Sequence, residues 1–416
     1  MDVENIAKNA NSAFLKTMNL SCEVKNQALY NIIAKLQIQK NEILKANELD
    51  LSHAKTMLDN NEINKATFDR LKLNENKIQG LIEGLNDLIK LDDPVNCVLW
   101  QKELDEGLIL KKISTPIGVI GVIFEARPDC YIQIASLLIK SGNCGILKGG
   151  IESINTNKIM AEIVNSALQE TKEFPLGAIN LIESRDDVKK MLDMDNYINL
   201  IIPRGSNKLV SYIKENTKIP VLGHSSGICH IFVDENADFE NTLNIIIDAK
   251  TQYPSACNAV ETVLVHKEYP YFEKLKTSLL NSDIKVVENP ENYSIEYGDK
   301  ILNIKTVENI DEAIEHINKY GSHHTDCILS DDEENINKFM NLVDSSSVFS
   351  NCSTRFSDGF RYGFGAEVGI STNKTHARGP VGLEGLTIYK YQLFGSNNLV
   401  APYATGEKKF SHKLII

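Results

Sequence analysis

The stretch IGVIGVIFEARP, residues 117–128, decides how the middle of the chain is interpreted. Its first eight residues are mostly Ile and Val, whose branched side chains favour a strand that is buried in a sheet. Pro116 and Gly118 interrupt the run. We therefore predict a hairpin or bent strand pair that begins near Leu108, followed by a strand that enters a buried sheet.

Strands and helices alternate after this stretch. Short apolar segments at 144–148 (CGILK), 178–183 and 197–202 are predicted strands. Helices are predicted after the glycines at 149–150 and from Asn207. Because this alternation produces a parallel sheet wrapped by helices, the chain is predicted to be an α/β protein. The loops that follow such strands lie at their carboxyl ends, where α/β folds bind ligands.

The regions on either side of this stretch have other patterns of apolar residues. The first hundred residues carry apolar side chains at helical spacing, for example Ile32, Ile33 and Leu36, which predicts amphipathic helices. A second α/β unit is predicted from about residue 250, with strands at 259–266 and 348–350, a helix at 310–319 and an alternating edge strand at 386–394.

The composition restricts the class of protein. The chain has 416 residues, 42% of them apolar, and a formal net charge of −12. This length predicts two or three domains with substantial cores. The acidic balance argues against a sequence-independent nucleic-acid binder and against a protein held on anionic membranes by charge.

Neither a membrane span nor an export signal is predicted. The most apolar segment, 116–126, is shorter than the roughly 20 residues that a spanning helix needs. Asp2 and Glu4 stand where a signal peptide has its basic region. The eight cysteines are far apart and form no CxxC pair, so we expect reduced thiols in the cytoplasm rather than structural metal ligands.

Cys257 is the first candidate for chemistry. It lies in QYPSACN, residues 252–258, a polar turn directly before an apolar strand, whereas a structural cysteine is more often inside an apolar run, as Cys144 is. A nucleophilic thiol and a small buried filler are both open interpretations. The first requires a lowered thiol pKa or a partner base, and the sequence shows neither.

Two loops have the composition of a phosphate site, LKGG at 147–150 and PRGS at 203–206. Each follows a predicted strand and precedes a predicted helix, so glycine, the helix N-terminus and a Lys or Arg together favour an anion. A plain turn with a capping Ser and a solvated cation is the alternative for each loop. The chain contains neither GxGxxG nor a Walker A motif, so a standard Rossmann or P-loop site is not predicted.

Two arginines and a histidine pair are further candidates. Arg127 in EARP and Arg355 in STRF suit a clamp for a carboxylate or a phosphate, and surface ion pairs are an equal alternative. His323 and His324 lie in a predicted turn, where adjacent side chains point in different directions. We expect both to be solvated, with metal binding as a minor alternative.

Together these segments resemble one family, the gamma-glutamyl phosphate reductases (glutamate-5-semialdehyde dehydrogenases) of the aldehyde dehydrogenase superfamily. The resemblance extends from about Ile113 to Tyr391. It is carried by an ordered set of motifs: PIGVIGV at 116–122, EARP at 125–128, LKGG at 147–150, LIIPRG at 200–205, PSACN at 254–258, ET at 261–262, STRF at 353–356 and HARGP at 376–380. Residues 307–328 resemble this family's own signature rather than that of the superfamily.

The resemblance implies an aldehyde dehydrogenase-like α/β fold, with two doubly wound α/β domains and a small β oligomerisation element. The implied boundaries are 1–103 and 120–249 for a cofactor-binding domain, 250–385 for a catalytic domain, and 104–119 with 386–416 for the oligomerisation element. In that element, a hairpin near 108–114 would pair with the C-terminal strand. A homo-oligomer is also implied, and an association with glutamate 5-kinase is left open.

The resemblance implies a reaction as well. NADPH would reduce L-glutamyl 5-phosphate to L-glutamate 5-semialdehyde, which cyclises on the way to proline. Cys257 would attack the acyl phosphate as a thiolate, phosphate would leave, and hydride would reduce the resulting thioester. The backbone N–H of Cys257 would donate to the tetrahedral oxyanion.

Further roles are implied for residues of the matched motifs. The implied substrate-binding residues are Arg127, Asn258, Arg355 and Arg378. The implied cofactor-binding residues are Lys148, Gly149, Pro203, Arg204, Gly205, Ser206 and Glu296. Glu296 falls at the position where the superfamily has a carboxylate that binds the nicotinamide ribose. No metal is implied.

One segment departs from the superfamily pattern. Hydrolytic aldehyde dehydrogenases have a Glu that activates water here, whereas residues 221–227 read VLGHSSG, as expected of an enzyme that must not hydrolyse its thioester. His224 is unusual for the family, and we expect an exposed loop histidine, with contact to cofactor phosphate as the alternative. A CoA-acylating aldehyde dehydrogenase is the alternative function, and a non-enzymatic protein of the same fold is a third.

Overall fold

A computed structural model of the chain describes residues 2–224 and 226–415. The helices in these residues are α1 Val3–Thr17, α2 Cys22–Ile38, α3 Lys40–Asp59, α4 Lys65–Leu71, α5 Glu75–Lys90, α6 Cys130–Lys140, α7 Ile154–Glu170, α8 Arg185–Leu192, α9 Asn207–Glu215, α10 Phe239–Thr251, α11 Phe272–Asn281, α12 Ile310–Tyr320, α13 Glu333–Leu342 and α14 Ala401–Ala404. The strands are β1 Val98–Asp105, β2 Leu108–Pro116, β3 Val119–Phe124, β4 Cys144–Lys148, β5 Ile179–Leu181, β6 Leu200–Arg204, β7 Cys229–Val233, β8 Val260–His266, β9 Lys285–Glu288, β10 Ile301–Val307, β11 Thr325–Leu329, β12 Ser347–Ser350, β13 Ile370–Ser371, β14 Gly379–Pro380, β15 Thr387–Phe394 and β16 Lys413–Leu414. Short 3₁₀ helices lie at Ile151–Ser153, Thr354–Phe356 and Glu384–Leu386.

The elements form two compact units. The first unit contains residues 1–205, 216–221 and 382–416, and the second unit contains residues 206–215 and 222–381. Both units have parallel sheets and helices, which confirms the predicted α/β class.

A parallel four-stranded sheet in the order β5-β4-β3-β6 forms the centre of the first unit. Every residue of β3 is buried, which explains why this strand reads as a continuous apolar run. In the register of the sheet, Ile123 lies opposite Lys148 and Phe124 lies opposite Arg204. The ends of β3, β4 and β6 therefore meet at one carboxyl edge, as predicted for the EARP, LKGG and PRGS loops.

The N-terminal helices belong to the same unit. Helix α1 contacts β4, and α2 and α3 pack against α7. Helix α2 begins after Ser21, whose hydroxyl accepts a hydrogen bond from the backbone N–H of Val24 at 3.4 Å. Ile32 and Leu36 on its apolar face are fully buried, so the predicted amphipathic character of this region is confirmed.

A second, antiparallel sheet in the first unit has the order β15-β2-β1-β16. Strand β15 pairs with β2 along its whole length, from Thr387 opposite Pro116 to Phe394 opposite Ile109. The predicted pairing of the hairpin with the C-terminal strand is therefore confirmed. Strand β15 lies at the edge of this sheet and carries exposed apolar side chains, including Tyr391 and Leu393.

The second unit is built on a parallel six-stranded sheet in the order β12-β11-β7-β8-β10-β9. Alternate residues of its strands enter two separate apolar cores, because successive side chains of a strand point to opposite faces. Ile231 and Val233 of β7 lie in the core that contains Ile246 of α10, whereas Phe232 lies in the core that contains Phe339 of α13. The sheet is therefore covered on both faces.

The start of the second unit differs from the sequence-based boundary. Residue 250 was the implied first residue of the catalytic domain, but β7 pairs with both β8 and β11 in the interior of the sheet. Residues 222–249 consequently fold with the second unit. The roles assigned to the domains stay predictions.

Most predicted elements are present with small shifts of their ends. The segment 178–183 contains a strand at Ile179–Leu181, and the strand predicted at 197–202 is found at Leu200–Arg204. Among the described residues, no helix combines the length and the apolar character that crossing a bilayer requires.

Candidate active site

Cys257 lies in the turn between α10 and β8 of the second unit, and it is half-buried. The turn is closed by two backbone hydrogen bonds, from Ala256 N–H to the Tyr253 carbonyl at 3.1 Å and from Ala259 N–H to the Ala256 carbonyl at 2.9 Å. The thiol is thus carried on a short, tied loop directly before a buried strand, as predicted. This position separates it from cysteines such as Cys144, which is fully buried in β4.

The VLGHSSG segment passes directly against the backbone of Cys257. A Cβ atom added at Gly227 would lie 2.1 Å from the Cys257 carbonyl oxygen and 2.3 Å from its Cα. Only glycine permits this approach. The thiol of Cys229 donates to the same carbonyl at 3.3 Å, which fixes the two segments together. Ser225 of this segment lies outside the described residues.

Two histidines from distant segments flank the Cys257 thiol. One ring nitrogen of His224, one of His324 and the Cys257 Sγ all lie within 4.8 Å of one another. The two imidazole rings meet edge to face, with their centroids 5.1 Å apart. The thiol therefore has the neighbouring bases that the sequence did not show.

The environment of each histidine differs from the expectation. His224 is half-buried rather than exposed, and its Nδ1 lies 2.9 Å from the Ile370 carbonyl oxygen. His324 is fully buried rather than solvated, because the chain turns inward at the start of β11, and its Nδ1 lies 2.8 Å from the Thr325 hydroxyl. His323 points elsewhere and contacts the Asp344 carbonyl at 2.6 Å, so the predicted divergence of the two neighbours is confirmed.

Arg355 is a buried cation close to the thiol. Its side chain is held by a hydrogen bond from Nε to Gln252 Oε1 at 2.9 Å, and its guanidinium lies 5.8 Å from the ring centre of Tyr253. In the described part of the chain, no carboxylate lies within ion-pair distance of it. Burial and the charge of Arg361 lower the pKa of Arg355, while the neighbouring Cys257 acts in the opposite direction. A buried guanidinium of this kind favours binding of an anion.

Asn258 connects the Cys257 turn to the segment that carries Arg355. Its amide Nδ2 donates to the Ser357 carbonyl at 2.8 Å, and its backbone carbonyl accepts from the Thr354 hydroxyl at 2.7 Å. Its Oδ1 is buried and has no hydrogen-bond partner among the described residues. The structure therefore gives Asn258 a positioning contact and leaves one of its acceptors available.

Arg378, by contrast, is already paired. Its guanidinium donates to the Asp344 carboxylate at 3.0 Å and to the Asp344 carbonyl at 2.9 Å. Lys374 and Arg378 together lower the pKa of Asp344. Because a carboxylate compensates this guanidinium, it is less available to a ligand than Arg355.

A buried ion pair next to the turn was not anticipated as part of the site. Lys250 Nζ lies 2.9 Å from Glu261 Oε2 and donates to the Val260 carbonyl at 2.9 Å. Burial raises the pKa of Glu261 to about 7, although Lys250 opposes the shift. The signal available in the sequence was only the ET pair within the family motif.

Glu296 lies in the segment that covers this ion pair. Its side chain is exposed, and the backbone N–H of Gly298, two residues later, donates to Glu261 Oε1 at 3.4 Å. The Cβ position of Gly298 is 3.9 Å from the Cα of Ser255. The segment is therefore anchored beside the Cys257 turn with an exposed carboxylate.

The predicted phosphate loops lie at the carboxyl edge of the first unit's sheet. The backbone N–H of Glu125 donates to the Arg204 carbonyl at 3.0 Å, and Arg204 Nη1 donates to Cys130 Sγ at 3.5 Å. Burial lowers the pKa of Lys148, and the carboxylates of Glu152 and Glu125 oppose that shift. Arg127 lies exposed in the loop after β3.

The two glycines of LKGG are packed closely against neighbouring side chains. A Cβ at Gly149 would lie 2.1 Å from Asn157 Nδ2, and the pocket beside it is lined by Gly150, Leu181 and Glu183. Asn157 Oδ1 is buried there without a hydrogen-bond partner in residues 2–224 and 226–415. An unsatisfied polar atom next to glycines is consistent with a polar ligand at this loop.

The PRGS loop is divided between the two units. Pro203 is buried and Gly205 is exposed at the end of the first unit's part, and Ser206 begins the second unit's part. The Ser206 hydroxyl accepts from the backbone N–H of Leu209 at 3.4 Å, so it caps α9. Ser206 therefore has the capping role that the sequence predicted as one of two alternatives.

Comparison with known proteins is consistent with this geometry. The model of the aldehyde dehydrogenase family matches residues 1–298. A gamma-glutamyl phosphate reductase from Brachyspira hyodysenteriae is 53% identical, with 100% of both chains covered. The crystal structure of the gamma-glutamyl phosphate reductase from Thermotoga maritima superposes with a TM-score of 0.91 at 37% identity, covering 96% of this chain and 100% of that chain.

A more distant similarity extends to enzymes with other names. An acetylating aldehyde dehydrogenase from Geobacillus thermoglucosidasius has a TM-score of 0.68 at 16% identity, covering 95% of this chain and 97% of that one. Identity this low shows a shared fold alone. From the full-length similarity to its relatives, together with the ordered motifs, it follows that the chain belongs to the gamma-glutamyl phosphate reductases, oxidoreductases of the aldehyde dehydrogenase family.

Proposed function

We propose that the chain reduces L-glutamyl 5-phosphate to L-glutamate 5-semialdehyde with NADPH and releases phosphate, through a thioester on Cys257. The semialdehyde then cyclises on the way to proline. One observation carries the proposal: the half-buried Cys257 thiol lies beside Arg355, a buried cation that no carboxylate among the described residues neutralises. The names of the full-length relatives support the same reaction.

Arg355 is suited to bind an anionic group of the substrate. L-glutamyl 5-phosphate carries a phosphate on the reacting carbonyl and a carboxylate at the other end. A guanidinium can hold either anion through two parallel hydrogen bonds. Gln252 fixes the Nε side of Arg355 at 2.9 Å, which leaves the Nη groups to bind the anion. Arg127, Asn258 and Arg378 are further candidates for contacts to the substrate.

The flanking imidazoles provide the base for the thiol. The Ile370 carbonyl can only accept, so His224 Nδ1 carries a proton and the lone pair is on Nε2. The thiol proton moves to His224 or His324 as Sγ bonds to the acyl carbon, and the bond between that carbon and the phosphate oxygen breaks. The backbone N–H of Cys257 donates to the oxyanion of the tetrahedral intermediate.

Family membership implies a nicotinamide cofactor, and we assign NADPH. NADPH, when bound, supplies the hydride that turns the thioester into the semialdehyde and frees the Cys257 thiolate. Lys148 and Arg204 would hold its phosphates, including the 2′-phosphate that distinguishes it from NADH. Gly149, Pro203, Gly205 and Ser206 would shape this site. Glu296 would accept hydrogen bonds from the nicotinamide ribose.

The segment beside the thiol supports reduction of the acyl group rather than its hydrolysis. Residues 221–227 contain no carboxylate, so this segment offers no general base of that kind for water. Gly227 also packs against the Cys257 backbone, where an added Cβ would lie 2.1 Å from the carbonyl oxygen. Exclusion of water protects a reactive intermediate.

The reaction run in reverse tests the proposal. The enzyme is given glutamate semialdehyde, NADP and phosphate, and formation of NADPH is followed by absorbance. We expect strict dependence on phosphate, loss of activity in Cys257→Ala, and retained activity in Cys352→Ala, a half-buried cysteine of the same unit. Equal turnover with CoA instead of phosphate would identify a CoA-acylating enzyme, and no turnover with any acceptor would contradict an enzymatic role.

Assembly, domain roles and location are part of the same proposal. Strand β15 leaves one edge and several apolar side chains exposed, which supports a homo-oligomer formed through the sheet β15-β2-β1-β16. The parallel sheet of the first unit would bind the cofactor, and the second unit would perform catalysis. All eight cysteines lie in the described residues and none of them forms a disulfide there, which supports a cytoplasmic location. An association with glutamate 5-kinase would shorten the path of a labile acyl phosphate.

A further inference from the structure

We propose that Cys257, His224 and His324 form a binding site for a divalent zinc ion, and that zinc bound there reversibly blocks the enzyme. Metal binding itself is independent of the proposed function. Only the inhibition rests on it, because inhibition requires Cys257 to be the nucleophile.

The donor set and the distances suit zinc. One thiolate sulfur and two imidazole nitrogens are ligands that zinc accepts, and the three atoms lie within 4.8 Å of one another. In a tetrahedral zinc site, with bonds of about 2.0 to 2.3 Å, ligand atoms are about 3.5 Å apart. The half-buried side chains of Cys257 and His224 need to close only about 1 Å to reach that spacing.

His324 gives an independent indication of a ligand. It is fully buried, and its Nε2 has no hydrogen-bond partner in the part of the chain that the structure describes. A buried nitrogen without a partner is costly unless a water or an ion satisfies it. Its other nitrogen, Nδ1, is already engaged by the Thr325 hydroxyl at 2.8 Å.

The contacts behind the ligands have the arrangement that metal sites use. A histidine that binds zinc through one nitrogen usually donates the other N–H to a carbonyl, a carboxylate or water. His224 has such a contact between its Nδ1 and the Ile370 carbonyl at 2.9 Å. The rings are thereby oriented before any metal arrives.

Coordination would remove the nucleophile from the reaction. The Cys257 thiol loses its proton to solvent as Sγ bonds to zinc, and both imidazole lone pairs are used as well. Three protein ligands leave a fourth position for water. No electron is transferred, so a chelator that removes zinc restores the free thiol.

A cobalt titration tests the site without any measurement of activity. The purified, reduced, full-length protein is titrated with Co²⁺ under anaerobic conditions, and the cobalt–thiolate charge-transfer band and the visible bands of tetrahedral cobalt are recorded. We expect one Co²⁺ per chain, displaced by Zn²⁺. The charge-transfer band disappears in Cys257→Ala, and the affinity falls about tenfold or more in His224→Ala and in His324→Ala.

His323→Asn is the matched control, because His323 is the neighbour of His324 but contacts Asp344 instead. Its backbone has φ of 59°, a conformation that Asn tolerates. Its cobalt affinity should equal that of the wild type. Circular dichroism verifies that each variant is folded. If the variant at the buried His324 does not fold, His224→Ala alone tests the contribution of the histidines to metal affinity.

The outcomes separate this site from the proposed reaction. A thiolate band that persists in Cys257→Ala, no binding of Co²⁺, or unchanged affinity in the histidine variants would overturn the site. In the activity assay, Zn²⁺ should inhibit and EDTA should restore turnover. Cobalt binding at these residues in a protein without phosphate-dependent turnover would leave the site intact and contradict only the proposed function.

Discussion

The Cys257 side chain depends for its chemistry on residues that lie far from it in the sequence. The motif around it and the Arg in STRF could be predicted to serve function from their residue types. The two histidines could not, because burial of His324 and the approach of His224 depend on packing between segments. A single sequence shows that a histidine is present but not which atoms surround it.

Arg355→Lys should impair binding of the anionic substrate. Lysine keeps the charge but loses the planar pair of donors and the Nε hydrogen bond to Gln252. We expect the KM for the substrate that Arg355 binds in the reverse assay, phosphate or glutamate semialdehyde, to rise about tenfold or more, since hydrogen bonds to charged groups contribute about 1.5 to 3 kcal/mol. Arg378→Lys, at a guanidinium already paired with Asp344, should change this KM less. The opposite ranking would contradict the role given to Arg355.

Glu261 should make the stability of the fold depend on pH. Burial raises its pKa from the usual 4.5 to about 7, so between these values the folded chain binds more protons than the unfolded chain. Its contribution to stability is therefore fully present below pH 4.5 and is lost as the pH rises through about 7. We expect the free energy of unfolding of the wild type, minus that of Glu261→Gln, to fall over this range in urea titrations.

Glu312→Gln provides the control for this titration. A backbone hydrogen bond from Glu308 and the contact with Lys305 lower the pKa of Glu312, so its contribution is lost as the pH falls instead. The difference between the wild type and Glu312→Gln should therefore have the opposite slope. A flat difference for Glu261→Gln would show that this carboxyl is not shifted by burial.

Three neighbouring strands bring the Cys257 thiol and the two histidines together. Cys257, His224 and His324 each lie just before a strand, namely β8, β7 and β11, and these strands are adjacent and parallel in the order β11-β7-β8. Their amino ends therefore meet at one edge of the sheet. The loops of the first unit lie at carboxyl ends, as predicted, whereas the rule that ligands bind at carboxyl ends does not lead to this cluster.

The strands of the first unit's parallel sheet could be predicted because buried parallel strands are continuous apolar runs. The residue at which the second unit begins could not be predicted, since the sequence CHIFV of β7 gives no sign of which sheet this strand joins. Pairing with β8 and β11 is decided by long-range packing. Prediction from the sequence therefore found the four strands of the first unit's parallel sheet, but only β8 and β12 of the second unit's sheet.

Gly227→Ala should abolish activity by separating two loops. The new Cβ would lie 2.1 Å from the Cys257 carbonyl, so the VLGHSSG segment and the Cys257 turn must move apart. We expect turnover to fall about a hundredfold or more, because misplacement by about 1 Å has that effect. Turnover and thermal unfolding are measured together.

Gly80→Ala is the matched control, because the added methyl group meets no neighbouring atom. Gly80 lies inside α5, and its added Cβ would have nothing within 4 Å. Activity should be unchanged, and stability should rise by about 1 kcal/mol, because alanine is the better helix former. Equal activities of the two variants would contradict the importance of the close approach at Gly227.

The molecule as a whole leaves one sheet edge uncovered. Strand β15 carries Tyr391 at 56% and Leu393 at 57% exposure, and its outer edge has no strand beside it among the described residues. A second copy of the chain would bury these groups. The alternating sequence pattern predicted a strand here, but it could not indicate whether another subunit covers that strand.

Tyr391→Lys should weaken the assembly that we propose. A charge placed among exposed apolar side chains costs free energy only if association buries it. We expect light scattering to show a shift towards smaller species, with the far-ultraviolet circular dichroism unchanged. The control is Lys390→Gln, an exposed residue of the same strand. An unchanged mass for Tyr391→Lys would exclude this edge as the interface.

The glutamyl group should be carried on Cys257 during the reaction, and a stalled half-reaction makes it visible there. The protein is given glutamate semialdehyde and NADP without phosphate, so that the acyl group forms but has no acceptor, and its peptides are analysed by mass spectrometry. We expect one NADPH per chain and a glutamyl thioester on the peptide that contains Cys257. A glutamyl group on another residue, or NADPH formation with no acylated peptide, would contradict this expectation.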